Sequence, residues 1–162
     1  MKDVIFLYAE LRDKASENNT SISEAFNIPQ GDLPAGYFNM LFNNFTLIIE
    51  LLDGYHNLGG KTTSTKAKSI EEAKQQNAER VIWAQKVSFI EAMSSFEYSA
   101  KKIVGDSLGE FRGRIYLRDI MERSKSNELI SEEDYSLWDG LISLRNCLVH
   151  NNGISDKSEE YN

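Results

Sequence analysis

From Tyr37 to Leu52 an apolar residue stands at every third or fourth position: Tyr37, Met40, Leu41, Phe45, Ile48, Ile49 and Leu52. That period gathers them on one stripe of an α-helix, whereas a strand would scatter them over both of its faces. The same spacing recurs along the chain. It carries Val4, Leu7, Tyr8 and Leu11, then Ile82, Phe89, Met93, Phe96, Ala100 and Ile103. It returns in Ile115, Leu117, Ile120 and Met121, and again in Tyr135, Trp138, Leu141, Ile142, Leu144, Leu148 and Val149. No convincing run of β-branched residues alternates with polar ones, so the expected class is all-α. The expected architecture is an up-and-down bundle of about five helices in one domain covering residues 1–162.

Capping and breaking residues divide these stripes into elements. A first helix is expected from Asp3 to about Glu17, followed by a short separate turn because Ser21 and Glu24 have capping-box spacing. Asn27 to Pro34 holds the only two prolines and reads as a loop. The second helix starts near Pro34 and stops at Asp53-Gly54. Gly54 to Lys68, rich in Gly, Thr, Ser and Lys, is expected to be a mobile loop. Ser69 with Glu72 caps a long helix that reaches Val104, with a polar first half from Glu71 to Arg80 and Gly105 as its end. A shorter helix runs from Arg114 to about Lys125. Ser131 with Asp134 caps the last, Asn152-Gly153 supplies its left-handed end, and 156–162 form a frayed tail.

Composition narrows the function classes. The chain carries 18 Lys and Arg against 25 Asp and Glu, a net charge of −7, which argues against a general nucleic-acid coat. Any RNA contact must be local. Between Lys101 and Lys125, seven basic residues stand against four acidic ones, giving +3, the one candidate basic face. A solvated helix surface with local ion pairs would use the same residues. No apolar run reaches the roughly 18 residues of a membrane span, and Glu10, Arg12 and Asp13 interrupt the apolar start before a secretory signal develops. A cytoplasmic protein is expected. The single cysteine, Cys147, allows no internal disulfide and reads as a small half-buried apolar residue.

Several motifs fail on inspection. Gly59-Gly60-Lys61-Thr62 mimics the end of a phosphate-binding loop, but Tyr55 occupies the place of the first glycine and no strand precedes it. His56, in the same loop, has no neighbouring Cys or spaced His and reads as a surface residue. Di-iron sites in bundles need Glu-x-x-His pairs on two helices, and the chain has none. No metal and no cofactor are expected.

Arg145-Asn146-Cys147-Leu148-Val149-His150 is different, since it places one of only two histidines near the end of an amphipathic helix. At ~100° per residue Asn146 and His150 share a face one turn apart, while Arg145 and His150 differ by ~140°. The negative end of the helix dipole favours an imidazolium at His150. An arginine fork holds phosphate oxygens, and Asn146 can fix the imidazole or a substrate oxygen. Cleaving RNA by in-line attack of a 2′-hydroxyl calls for a base, an acid and charge stabilisation, more than one Arg and one His provide. A symmetric homodimer would line one cleft with two copies of each. The bland reading is that Arg145 and His150 neutralise helix-end carbonyls and pair with acids such as Asp139 or Glu133. Glu97 is a further candidate partner for Arg145.

The segment Arg145 to His150 resembles the Arg-x4-6-His signature of HEPN domains, in which a polar residue commonly follows the Arg. Leu144-Arg145-Asn146, His150-Asn151-Asn152-Gly153 and Phe96-Glu97-Tyr98-Ser99-Ala100-Lys101 add to the likeness, which covers mainly residues 81–153. The resemblance implies a helical, usually dimeric domain, in many members a metal-independent endoribonuclease of toxin–antitoxin, abortive-infection or other anti-phage systems. It implies catalytic roles for Arg145 and His150 with Asn146 in support, an RNA substrate, and a cognate antitoxin or defence-system partner. Other members keep the fold as a non-catalytic module that binds a protein or nucleotide.

Overall fold

The computed structural model describes residues 2–57 and 68–150, and among them every regular element is helical. The helices are α1 (Lys2–Phe26), α2 (Ala35–Asn57), α3 (Ile70–Leu108), α4 (Leu117–Ser126) and α5 (Glu132–His150). The all-α class and the five helices expected from apolar spacing are what the described residues form. No helix among the described residues is long and apolar enough to cross a membrane. Two compact units divide the chain, Met1–Ala92 and Met93–Asn162, and α3 contributes to both.

In the first unit α1 packs along α2. The residues that put Tyr8 and Ile48 on helical stripes also put them in one core with Leu52 and Ala84, flanked by Val4, Ile5, Phe45, Ile49 and Val81. The Tyr8 and Phe45 rings meet at 5.9 Å and 57°. Asn44 Nδ2 donates to Ser88 O at 2.9 Å and ties α2 to α3.

α1 does not stop at Glu17 and no separate turn follows it. The helix runs to Phe26, across a polar stretch of weak propensity, because Asn19 is buried and anchored. Its Nδ2 donates to Gln30 O at 2.9 Å and to Ala35 O at 2.8 Å. The end is a Schellman motif centred on Asn27, whose φ of 50° is one that Asn accepts more readily than most residues. Ile28 N donates to Ser23 O at 3.0 Å, and Asn27 N to Glu24 O at 3.2 Å.

Gly36 lies buried in the first turn of α2, and its N–H donates to Asp32 O at 2.7 Å. A Cβ there would run into the backbone oxygen of Gly31. Gly36→Ala is therefore expected to cost about 1–3 kcal/mol, the usual range for overpacking. Urea unfolding measures this, and an unchanged midpoint would mean that the 31–36 turn yields freely.

α2 continues through Gly54 to Asn57 instead of stopping at Asp53. One helical glycine costs about 1 kcal/mol, which a helix with a buried stripe tolerates. The rest of the loop expected over 54–68, the Gly59-Gly60-Lys61-Thr62 motif, the Asn152-Gly153 cap and the 156–162 tail lie outside the described residues, as does the His56 side chain.

In the second unit α4 packs on α5. Ile120 is fully enclosed, and Met93, Ala100, Val104, Leu117, Met121 and Ile142 are buried. Phe96 of α3 and Trp138 of α5 stack nearly parallel, with centroids 3.7 Å apart and planes 5° apart. α3 passes through Gly105, which is buried beneath Phe111, and ends at Gly109, where φ reaches +91°. Positive φ, not the mere presence of glycine, marks the stop. α4 begins at Leu117, three residues after the expected Arg114. Gly113 turns the chain at φ +80°, and Asp119 Oδ2 accepts Tyr116 N–H at 2.9 Å, which fixes the helix start. Arg123 spans the connection between α3 and α4: its Nη2 donates to Leu108 O, and its guanidinium carbon lies 4.6 Å over the Phe111 ring.

The two expected long-helix caps form. Ser69 Oγ accepts Glu72 N–H at 3.1 Å, and Glu72 Oε2 accepts Lys68 N–H rather than that of Ser69. At α5, Ser131 Oγ accepts Asp134 N–H at 3.0 Å, while Asp134 Oδ2 accepts from Ser131 Oγ at 2.7 Å and from Ser131 N at 3.2 Å. The Ser131 hydroxyl first, and its N–H second, hold the Asp134 carboxyl below its ordinary 3.8. A lowered carboxylate stabilises the fold above its ordinary pKa, and that contribution is lost as pH falls through the lowered value. Ser131→Ala is expected to cost about 1 kcal/mol near neutrality. It should also shrink the part of the stability loss that sets in below pH 3.8. Thermal melts of both proteins from pH 7 to pH 2 decide this, and parallel curves would remove Asp134 from the account.

Candidate functional site

A cleft of about 570 Å³ opens in the second unit, within the range of small-ligand sites. Met93 and Glu97 of α3 form one wall. Arg114, Ile115 and Tyr116 arrive from the extended segment before α4, with Leu117, Arg118 and Asp119 from its first turn. Ile142, Arg145, Asn146, Val149 and His150 of α5 complete it. All three residues singled out on the last helix thus line one cleft, despite the ~140° that separates Arg145 from His150 around the helix axis.

Their partners differ from expectation. Arg145 Nη1 donates to Asn146 Oδ1 at 3.2 Å, so Asn146 orients the guanidinium and not the imidazole. Asp139, an acid within reach of α5's cations on spacing alone, accepts Arg118 Nε at 2.7 Å, and Arg118 Nη2 donates to Ser143 Oγ at 3.3 Å. No ion pair joins Arg145 to Glu97 among the described residues. The half-buried Glu97 shares the cleft wall instead. His150 is exposed and lines the cleft.

The electrostatics follow from this pairing. Arg114, Arg118, Arg145 and His150 share the cleft with Glu97 and Asp119, where Asp119 is engaged at the α4 N-terminus and Arg118 is paired with Asp139. A chain that is acidic overall thus brings to one place two arginines, Arg114 and Arg145, that have no carboxylate partner among the described residues. Elsewhere on the basic segment the local-pair reading holds: Lys102 meets Asp106 at 3.4 Å and Lys125 meets Glu132 at 2.7 Å. Arg114 leans over the Tyr116 ring, 5.2 Å from its centroid.

Apolar periodicity placed Met93 on a buried stripe and gave no reason to select Tyr116. The signal for Tyr116 was Asp119 three positions on, the same spacing that marks Ser69 and Ser131 as caps. Cys147 is half-buried and free. Among the described residues no group of three or more His, Cys, Asp or Glu is placed to hold a metal ion. Compared with protein-family models, curated proteins and solved structures, the chain matches none.

Proposed function

We propose that this protein is a HEPN-like, metal-independent endoribonuclease acting through Arg145 and His150, in a toxin–antitoxin or anti-phage setting. The supporting observation is the convergence of Arg145 and His150 with Arg114 and Arg118 on one cleft. In the reaction, the 2′-oxygen of a ribose attacks the adjacent phosphorus and gives its proton to a base. The 5′-oxygen leaves and takes a proton from an acid, yielding a 2′,3′-cyclic phosphate and a 5′-hydroxyl. The arginines stabilise charge on the phosphoryl oxygens as it develops. Among the described residues one chain brings a single imidazole to its cleft, and in this reading the second proton-transfer group is His150 of a second copy in a homodimer.

The test is incubation of the full chain with mixed single-stranded RNA in excess chelator. Fragments ending in 2′,3′-cyclic phosphate are expected. Intact RNA at high protein concentration would instead favour a non-catalytic module for a protein or nucleotide partner, which the net charge of −7 suits.

A further inference from the structure

Tyr116 stands at the cleft with 56% of its surface exposed, although the Arg114 guanidinium already lies over its ring. Tyr116 is the aromatic ring on the cleft wall, and its backbone explains only the α4 start. The N–H of Tyr116 is taken by Asp119, which the ring does not help. A ring backed by a guanidinium presents a flat, electron-rich surface with a cation close by. That combination suits a nucleobase joined to a phosphate, because every base has a π-face and every nucleotide a negative charge.

The placement is specific. Arg114 and Tyr116 precede α4, Arg118 lies in its first turn, and Arg145 and His150 come from α5, all on one cleft. A phosphate held by the arginines leaves the neighbouring base to find its own surface, and Tyr116 is the exposed aromatic ring on the cleft wall. We infer that Tyr116, braced by Arg114, is the stacking platform for a base of a single-stranded RNA, next to the phosphate site. It is a positioning residue and touches no reacting atom. A duplex keeps its bases stacked on each other and cannot use it. The inference rests on reading the cleft as an RNA site, and it adds the surface on which an unpaired base rests.

The experiment measures binding, so that it stands apart from cleavage. In the His150→Ala background, anisotropy of a labelled single-stranded pyrimidine RNA reads the affinity of Tyr116, Tyr116→Ala, Tyr116→Phe and Tyr116→Trp proteins. Tyr116→Ala is expected to weaken binding about tenfold, and Phe and Trp to keep it, because stacking needs a ring and not a hydroxyl. Binding to duplex RNA of the same sequence should be weak and equal in all four. Unchanged affinity in Tyr116→Ala, or a loss in Tyr116→Phe as large as in Tyr116→Ala, overturns the platform. So does an absence of single-strand binding by the His150→Ala parent. Ring-dependent binding by a protein that never cuts RNA would leave the platform standing and remove the nuclease reading alone.

Discussion

His150→Ala is expected to lower RNA cleavage at least ~100-fold, and Arg145→Ala by a similar factor, with melting temperatures unchanged. Loss of activity without loss of fold is the informative pattern, because His150 is exposed and, among the described residues, the half-buried Arg145 is bonded only to its neighbour Asn146. The sharper result comes from mixing equal amounts of wild-type and His150→Ala protein. If each cleavage needs the imidazoles of both copies, a mixed dimer is silent, and random exchange leaves only about a quarter of all dimers wild-type. Activity is then expected to fall to about a quarter of that of the same total amount of wild-type protein. A fall to about half would confine the chemistry to a single chain and overturn the shared site. Asn146→Ala should act more gently than either, since it frees a guanidinium that a bound phosphate can reorient.

Ile120→Ala is expected to cost about 2–5 kcal/mol, the largest stability effect among the single changes considered. Ile120 has no exposed surface, and its backbone oxygen accepts the buried Ser124 hydroxyl at 2.9 Å, so truncation leaves a void in a place that cannot easily collapse. Because α4 packs on α5, the loss should reach the cleft as well. Denaturant unfolding gives the free energy, and parallel RNA binding shows whether the arginines stay assembled. A loss below about 1 kcal/mol would mean that the surrounding helices close over the gap.

The helices were legible because burial imposes a period, and the apolar stripe from Tyr37 to Leu52 could not be mistaken for a strand. Their ends were legible where a side chain does the capping, as at Ser69 and Ser131, and illegible where tertiary bonds decide. Asn19 carried α1 past its expected end through two carbonyls from another part of the chain, which no local pattern encodes. Glycine misled in both directions. Gly54 and Gly105 lie inside helices, and Gly109 ends one, because stopping depends on the backbone angle and not on the residue name. The site divides the same way. Arg145, Asn146 and His150 announced themselves through scarcity and spacing on one helix, and the cleft does contain all three. Arg114, Tyr116 and Arg118 join them only through the path of the chain between α3 and α4. The choice of Asp139 for Arg118 turned on that path too.

The grip of Arg123 on Leu108 and Phe111 gives that path a further meaning. One side chain pins the root of the connector, while Arg112, Gly113 and Arg114 beyond it are exposed. A segment fastened at its base and exposed at its tip can be rewritten, residue by residue, without asking the helices to refold. If the tip reads the ligand, new preferences can be acquired there by exchanging a handful of side chains, and the scaffold behind them need never notice the change.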